Sequence, residues 1–273
     1  MKISPIAKLA GIILSLIIPA LTNGQQVKKA KLIWADEFNG DSLDYSKWGV
    51  EENAFGGGNN EMQAYRWNKK NLRVEGGNLI IEAHKDNPNM AGTVRQYSSG
   101  RIRSKLRGDW TYCRVDVRAK LPIGQGIWPA IWMLPTDEKY GGWASSGEID
   151  IMELVGHEPS TYHGTLHYGG GWPKNKHTGK EYKLGSGTFA DDFHVFSVIW
   201  EKGEITWAID GKPWQTQEKW FSDKAPFPAP FDQRFHLVLN LAVGGRWPGN
   251  PDAQTKFPAK MLVDYVRVYH WGK

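Results

Sequence analysis

Three carboxylates stand within six residues of an otherwise apolar run, Gly147-Glu148-Ile149-Asp150-Ile151-Met152-Glu153-Leu154. Acids in such a strand are costly unless they face water, a metal or a substrate. In an ideal strand Glu148 and Asp150 share one face, and Glu153, five positions beyond Glu148, points to the other. A β-bulge at Ile151-Met152 adds one residue, re-phases the pleat and returns Glu153 to the face of the other two. All three acids then line one cleft. Successive same-face residues stand roughly 6–7 Å apart along a strand, so carboxyls two effective positions apart can approach the ~5–5.5 Å separation of retaining glycosidases, whereas an inverting pair needs more room. That geometry casts Glu148 as nucleophile, Glu153 as general acid and then base, and Asp150 as the group that orients both. Three close carboxyls do not all ionise readily, so one keeps the proton the acid needs at neutral pH. A calcium site or a solvated edge strand is the alternative use of such a run.

The surrounding sequence supplies strands to hold this segment. From Leu32 onward the runs include NLIIEAH, CRVDVRAKL, EIDIMEL, HVFSVIWE, EITWAID, FHLVLNLAV and MLVDYVRVYHW, broken by GGGNN, EGGN, KDNPN and DGKP. No stretch of similar length has helical periodicity, and many short strands with turn signals indicate an all-β sandwich or barrel. EITWAID and PWQTQ read as a hairpin about Asp210-Gly211. The first strand, KLIWADEF, and the last, MLVDYVRVYHW, are placed to pair and close the sandwich. No linker, repeat or composition break divides residues 30–271, which read as one domain. Gly169–Lys183, rich in Gly and Lys, reads as a loop whose Trp172 either caps one end of a cleft or sits on an exposed turn.

The 273 residues are 40% hydrophobic and 23% charged, with 31 Gly and 15 Pro dispersed along the chain, which excludes collagen, a long coiled coil and wholesale disorder. The compositional outlier is aromatic, 14 Trp with 10 Tyr and 10 Phe, and such rings serve equally a packed core or a sugar-stacking surface. The single cysteine, Cys113, excludes an intramolecular disulfide and a cysteine zinc cluster, and its alternation with Val115, Val117 and Ala119 places it in the core. Residues 1–24, with Lys2 and Lys8 ahead of an apolar stretch, LAGIILSLIIPAL, read as a secretory signal cleaved before Gln25. The expected product is a domain of about 249 residues, residues 25–273, secreted to the extracellular or periplasmic space and free of the membrane. Loss of Lys2 and Lys8 lowers the formal charge from +5 to +3, and no Lys/Arg run exceeds a pair, so nucleic acid is not an expected partner.

The strand G-E-I-D-I-M-E closely resembles the catalytic signature of glycoside hydrolase family 16, and specifically its laminarinase-like β-1,3-glucanases. Further segments resemble the family in family order: GQGIWPAIWML at 124–134, HGTLHY at 163–168, NLAVGG at 240–245 with Trp247-Pro248-Gly249, and VDYVRVY at 263–269. Together they cover nearly the whole mature chain. The resemblance implies a β-jelly-roll sandwich of two antiparallel sheets with a concave substrate cleft. It also implies retaining endo-hydrolysis, without a catalytic cofactor, of a polysaccharide partner; a monomer is the default expectation. The spacing from Asp150 to Glu153 matches the bulged type typical of laminarinases rather than the unbulged E-x-D-x-E of lichenases.

Trp128, Ala130 and Trp132 alternate on one strand face, and the resemblance places these rings in the cleft rather than the core. Trp143 and Trp247 are further sugar-binding candidates. Asn60 and Glu61 follow a Gly-rich loop, and Arg101 resembles the family's arginine-bearing cleft strand; amides and guanidinium groups suit sugar hydroxyls. His167 is assigned a supporting role beside the catalytic carboxylates, whereas His163 reads as structural. Asn240, polar within an apolar run, must find a partner in cleft or core. A structural Ca²⁺ is implied by resemblance, held by Glu37, the carbonyl of Gly77 and Asp264, a donor set suited to a hard cation. Mixed-linkage β-1,3-1,4-glucan is an accessory substrate in this reading. The alternatives are a hydrolase of a galactan (agarose, carrageenan or porphyran), since those enzymes share the acid strand, and a non-catalytic glucan-binding protein on the same fold, relatives of that kind lacking the glutamates.

Overall fold

The computed structural model describes residues 30–271, so the expected leader, residues 1–24, lies outside the described residues. Twenty strands and no helix are found among them. In chain order these are β1 (Ala30–Asp36), β2 (Gly49–Val50), β3 (Gln63–Tyr65), β4 (Leu72–Glu75), β5 (Asn78–Lys85), β6 (Asn89–Met90), β7 (Thr93–Val94), β8 (Tyr97–Ser99), β9 (Arg101–Arg103) and β10 (Asp109–Trp110). There follow β11 (Arg114–Lys120), β12 (Ile127–Pro135), β13 (Glu148–Glu153), β14 (Thr161–Tyr168), β15 (Lys176–Lys183), β16 (His194–Glu201), β17 (Glu204–Ile209), β18 (Lys212–Gln217), β19 (Phe235–Val243) and β20 (Ala259–Trp271).

Two sheets face each other. The larger runs β18-β17-β16-β11-β20-β5-β8-β3, with β1 on β20 and β4 on β5. The smaller runs β15-β14-β13-β12-β19-β9-β2, with β10 on β19. The named strands pair antiparallel, as expected, except β3 and β8, where Gln63–Tyr65 lie parallel to Tyr97–Ser99. The terminal strands pair as expected, Asp36 opposite Val266. Asp210 and Gly211, with φ of 49° and 77°, form the two-residue hairpin turn whose positive φ values favour Asp-Gly.

The core forms where the inward faces meet. Val115, Val117 and Ala119 of β11 and Cys113 just before it are fully buried against Trp200, Trp207, Ile149 and Ile151, as period-two alternation requires. Burial pushes the Cys113 thiol far above its ordinary range, so it behaves as a small apolar core group. The aromatic excess divides between the two uses open to it: Trp48, Trp200 and Trp207 fill the core, while Trp128, Trp132, Trp143, Trp172 and Trp247 line the cleft described below.

One expected loop is partly a strand. Lys176–Lys183 forms β15, paired over its whole length with β14 from Thr161↔Lys183 to Tyr168↔Lys176. Its exposed, Lys-rich character is that of a free sheet edge guarded by charge, and that polarity made it resemble a loop.

The register also bears on Glu37, Gly77 and Asp264. β1 pairs Asp36 with Val266, and β5 pairs Leu79 with Val263, so all three residues come together beside the middle of β20. Both oxygens of Glu37 accept from the Arg267 guanidinium at 2.8 Å, and Asp264 Oδ2 accepts from Arg118 at 2.7 Å.

Candidate active site

The smaller sheet floors a cleft of about 1680 Å³. Cross-strand partners share a face, so the register lays side chains in rows across the sheet. One row runs Glu181, His163, Glu153, Ala130, Asn240, Arg101 through β15, β14, β13, β12, β19 and β9. The next contains Gly179, Thr165, Asp150 and Trp132, and a third His177, His167 and Glu148. The acidic strand therefore crosses the middle of the cleft floor.

The expected bulge is present. Asp150 pairs with Thr165 and Glu153 with His163, three positions against two, and β12 shows the same shift, with Trp132 opposite Asp150 but Ile131 opposite Met152. Ile151 and Met152 both turn to the core, 0% exposed, and Glu153 returns to the cleft. From the opposite sheet, the Trp207 indole donates to the Asp150 carbonyl at 2.8 Å, holding the bulge from below. Gly164 gives that ring its space: a Cβ there would lie 2.6 Å from it. Glu148 and Glu153 are four pleat positions apart, about 13 Å between Cα atoms, twice the spacing of immediate same-face neighbours. The longer acid, glutamate, occupies both outer positions, and the shorter aspartate the centre.

Each outer glutamate accepts an indole N–H: Glu148 Oε2 from Trp143 at 2.8 Å, and Glu153 Oε1 from Trp128 at 3.1 Å. His167 Nε2 lies 3.3 Å from Asp150 Oδ2 and 3.7 Å from Glu148 Oε1. Burial pushes the carboxyls of Glu148 and Asp150 up to about 8, the Asp150 charge adding to the effect on Glu148. Burial and the charges of Asp150 and Glu148 hold Glu153 well above the carboxylate range, against the Trp128 hydrogen bond and His167. The three titrate as a cluster, and it retains protons at neutral pH. Glu148 is the easier of the two glutamates to ionise, since His167, Trp143 and Arg101 all favour its anion.

Beyond Trp132 the floor is polar and cross-linked. Trp132 Nε1 donates to Asn240 Oδ1 at 2.7 Å, and Asn240 Nδ2 donates to the Tyr65 hydroxyl at 3.1 Å, which satisfies the lone amide of β19. The Arg101 guanidinium lies 4.9 Å from the Trp132 ring and pairs with Glu51 at 2.9 Å. Glu61 is buried beside Gln63, which donates to it at 2.7 Å, and burial raises its carboxyl. Trp247 meets Trp128 edge-on at 5.2 Å and His163 at 5.1 Å. Trp143 and Trp172 stand on the opposite rim, both exposed.

Most of the residues singled out in the sequence thus converge on one cleft. Asn60 does not line it: with φ of 59° it is exposed on the Gly-rich turn, and its neighbour Asn59 faces the cleft instead. His163, expected to be structural, lines the cleft in register with Glu153. Arg103, which shares the face of Arg101 by period two, and Arg246, beside Trp247, also line it, as do Glu51, Tyr65, His177 and Glu181, which stand outside every motif. For His163 and Thr165 the alternation of HGTLHY with His167 was the available signal; for His177 and Glu181 it was pairing with β14, invisible while β15 read as a loop.

Two ring nitrogens here lack a hydrogen-bond partner, His163 Nε2 and His167 Nδ1. Buried polar groups are otherwise nearly always paired, and a hydroxyl-rich ligand supplies both donors and acceptors.

The family model "Glycosyl hydrolases family 16" matches residues 59–267. The chain is 48% identical over 256 residues to glucan endo-1,3-beta-glucosidase A1 of Niallia circulans, an alignment covering 87% of this chain and 37% of that protein. It is 39% identical over 286 residues to a beta-glucanase of Rhodothermus marinus, covering 99% of this chain and 97% of the relative. Among solved structures, the catalytic domain of an endo-1,3-beta-glucanase (laminarinase) from Thermotoga petrophila RKU-1 matches with a TM-score of 0.81 at 36% identity, covering 90% of this chain and 100% of that one.

Proposed function

The chain belongs to glycosyl hydrolases family 16, and from that premise we propose that it is a retaining endo-β-1,3-glucanase of laminarin-type glucans that also accepts mixed-linkage β-1,3-1,4-glucan. The observation that carries the chemistry is the bulge that sets Glu148, Asp150 and Glu153 on one face of the cleft floor. A binding protein has no need of three mutually repelling acids there. The choice of β-1,3-glucan over a galactan is supported by the relatives' activities.

In this reading a Glu148 carboxylate oxygen attacks the anomeric carbon as the bond from that carbon to the bridging oxygen breaks. Glu153 gives its proton to the departing oxygen. Water then enters, loses a proton to the Glu153 carboxylate and attacks the anomeric carbon; the ester to Glu148 breaks, and two inversions restore the β configuration. The proton that burial and two acidic neighbours keep on Glu153 suits the first step. Its indole partner suits the second, when Glu153 must be an anion. Asp150 and His167 hold and orient Glu148, while Trp132, Arg101, Asn240 and Glu61 face the sugar hydroxyls and ring faces on the β9 side.

The test is product analysis on laminarin, barley mixed-linkage glucan and agarose, following anomeric configuration by NMR. Laminarin yields β-configured oligosaccharides first, and Glu148→Ser abolishes them. Preferential cleavage of agarose, or undiminished activity without Glu148, overturns the substrate or the nucleophile respectively.

A structural Ca²⁺ is part of the proposal. Glu37, the Gly77 carbonyl and Asp264 are an oxygen-only set suited to a hard cation, gathered beside the middle of β20, and an ion there would tie both terminal strands to the β4–β5 turn. It would share Glu37 and Asp264 with Arg267 and Arg118. Added Ca²⁺ then raises the melting temperature, chelator lowers it and Glu37→Gln removes the response. An unresponsive wild type leaves the arginine pairs as the whole of this cluster. Secretion through residues 1–24 is likewise proposed, and N-terminal sequencing of exported protein beginning at Gln25 is its check.

A further inference from the structure

Tyr45 and Trp67 form an exposed aromatic pair outside the cleft. Their rings lie 5.7 Å apart at 59°, and Trp67 Nε1 donates to the Tyr45 hydroxyl at 3.1 Å. They are 51% and 59% exposed. Paired rather than scattered singly, the two rings present one contiguous apolar surface of the kind that marks an interaction site.

The pair is held in place and does not flop. The Trp67 backbone N–H donates to Glu52 Oε1 at 3.2 Å, and the Tyr45 carbonyl accepts from Arg107 Nε at 3.0 Å. With its indole N–H already engaged, Trp67 offers only ring faces, which suit the axial C–H face of a sugar.

Its position decides which sugar. β2 is the last strand of the cleft sheet, paired with β9 through Gly49↔Arg103 and Val50↔Ile102. Glu51, just beyond β2, faces the cleft and pairs with Arg101 and Arg103 at 2.9 and 3.2 Å. The next residue, Glu52, holds Trp67. Arg107, which holds Tyr45, covers Gly49, where a Cβ would lie 3.1 Å from Nη1. The pair thus begins where the floor ends, over the free edge of β2.

We propose that Tyr45 and Trp67 form an outlying subsite for the polymeric glucan, engaging a stretch of chain that leaves the cleft past Arg101 and Arg103 and bends over the β2 edge. A β-1,3-linked chain coils and can make that bend. This rests on the glucanase reading, and the site serves long chains only, since a short oligosaccharide filling the catalytic floor ends before it.

The test is affinity electrophoresis in laminarin gels with Glu148→Ser, so that the chain binds without cutting, compared with the same protein carrying Trp67→Ala, Trp67→Phe or Tyr45→Ala. Trp67→Ala weakens polymer binding about three- to tenfold, as loss of one stacked ring does, and Trp67→Phe recovers most of it. In the otherwise wild-type enzyme, Trp67→Ala lowers kcat/KM on laminarin and leaves a laminaritetraose unchanged. Unaltered retardation by Trp67→Ala, equal losses on polymer and tetraose, or a dimer that Trp67→Ala dissociates would each overturn the subsite. No retardation of the Glu148→Ser chain itself would overturn the glucan reading, and the subsite with it.

Discussion

The indole of Trp128 donates to Glu153 Oε1 at 3.1 Å, joining neighbouring strands across 25 residues of sequence. It is the one hydrogen bond that favours the anion of a carboxyl otherwise driven toward its protonated form by burial and by two acidic neighbours. A single such bond contributes about 0.5–1.5 kcal/mol, up to roughly one unit of pKa.

Trp128→Phe keeps the ring and removes the donor, so Glu153 holds its proton to higher pH. The alkaline limb of the kcat/KM profile on laminarin moves up by about 0.5–1 pH unit, and kcat falls several-fold because Glu153 is a weaker source of base in the second step. A change in KM alone, with both limbs fixed, would show that Trp128 only contacts sugar.

Trp207 holds the bulge through the Asp150 carbonyl. Trp207→Phe leaves that buried acceptor unpaired, at a cost of about 1–3 kcal/mol, and loosens the positions of Asp150 and Glu153. Stability falls by that amount in urea melts and kcat falls with little change in KM. Gly164→Ala, which crowds the same ring, acts in the same direction; an active, merely less stable Trp207→Phe would separate the bulge from catalysis.

Deleting Ile151 removes the extra residue but not the facing of the acids. The resulting E-I-D-M-E alternates regularly, so all three carboxyls still point to the cleft. The loss is one fully buried side chain, about 2–5 kcal/mol on the scale of large-to-small core changes. The deletion variant retains more laminarin activity than Glu153→Gln, although it melts lower. Activity no better than that of Glu153→Gln would mean that the bulge sets distance as well as direction.

Stability carries a pH signature of definite sign. Glu148 and Asp150 are raised to about 8 by folding, from roughly 4 in an unfolded chain. A carboxyl raised on folding contributes its full stabilisation below its unfolded value and loses it as pH climbs through the folded one. Melting temperature therefore declines between about pH 5 and about pH 8, and Asp150→Asn, neutral throughout, flattens the decline by several degrees, at ~2–4 °C per kcal/mol for a domain of this size. An identical slope in wild type and Asp150→Asn would place the linkage elsewhere.

The sequence by itself determined the strands and the acids. Period-two alternation identified the apolar faces of β11, β16 and β17, Asp210-Gly211 marked its hairpin, and the odd spacing from Asp150 to Glu153 required a bulge because no even pleat puts both on one face. These are local properties, written in neighbouring residues. Tertiary structure decided what meets across strands. Glu51 reaches Arg101, Asn240 joins Trp132 to Tyr65, Trp207 reaches through the core to Asp150, and β15 becomes the cleft's far edge, because sheet register joins residues tens to hundreds of positions apart. The same division explains Asn60 and Asn59: composition marked the turn, but only its backbone, with φ of 59° at Asn60, chose which amide faces the cleft. The pKa values of the acids belong to tertiary structure too, since burial, their largest cause, exists only once both sheets have closed.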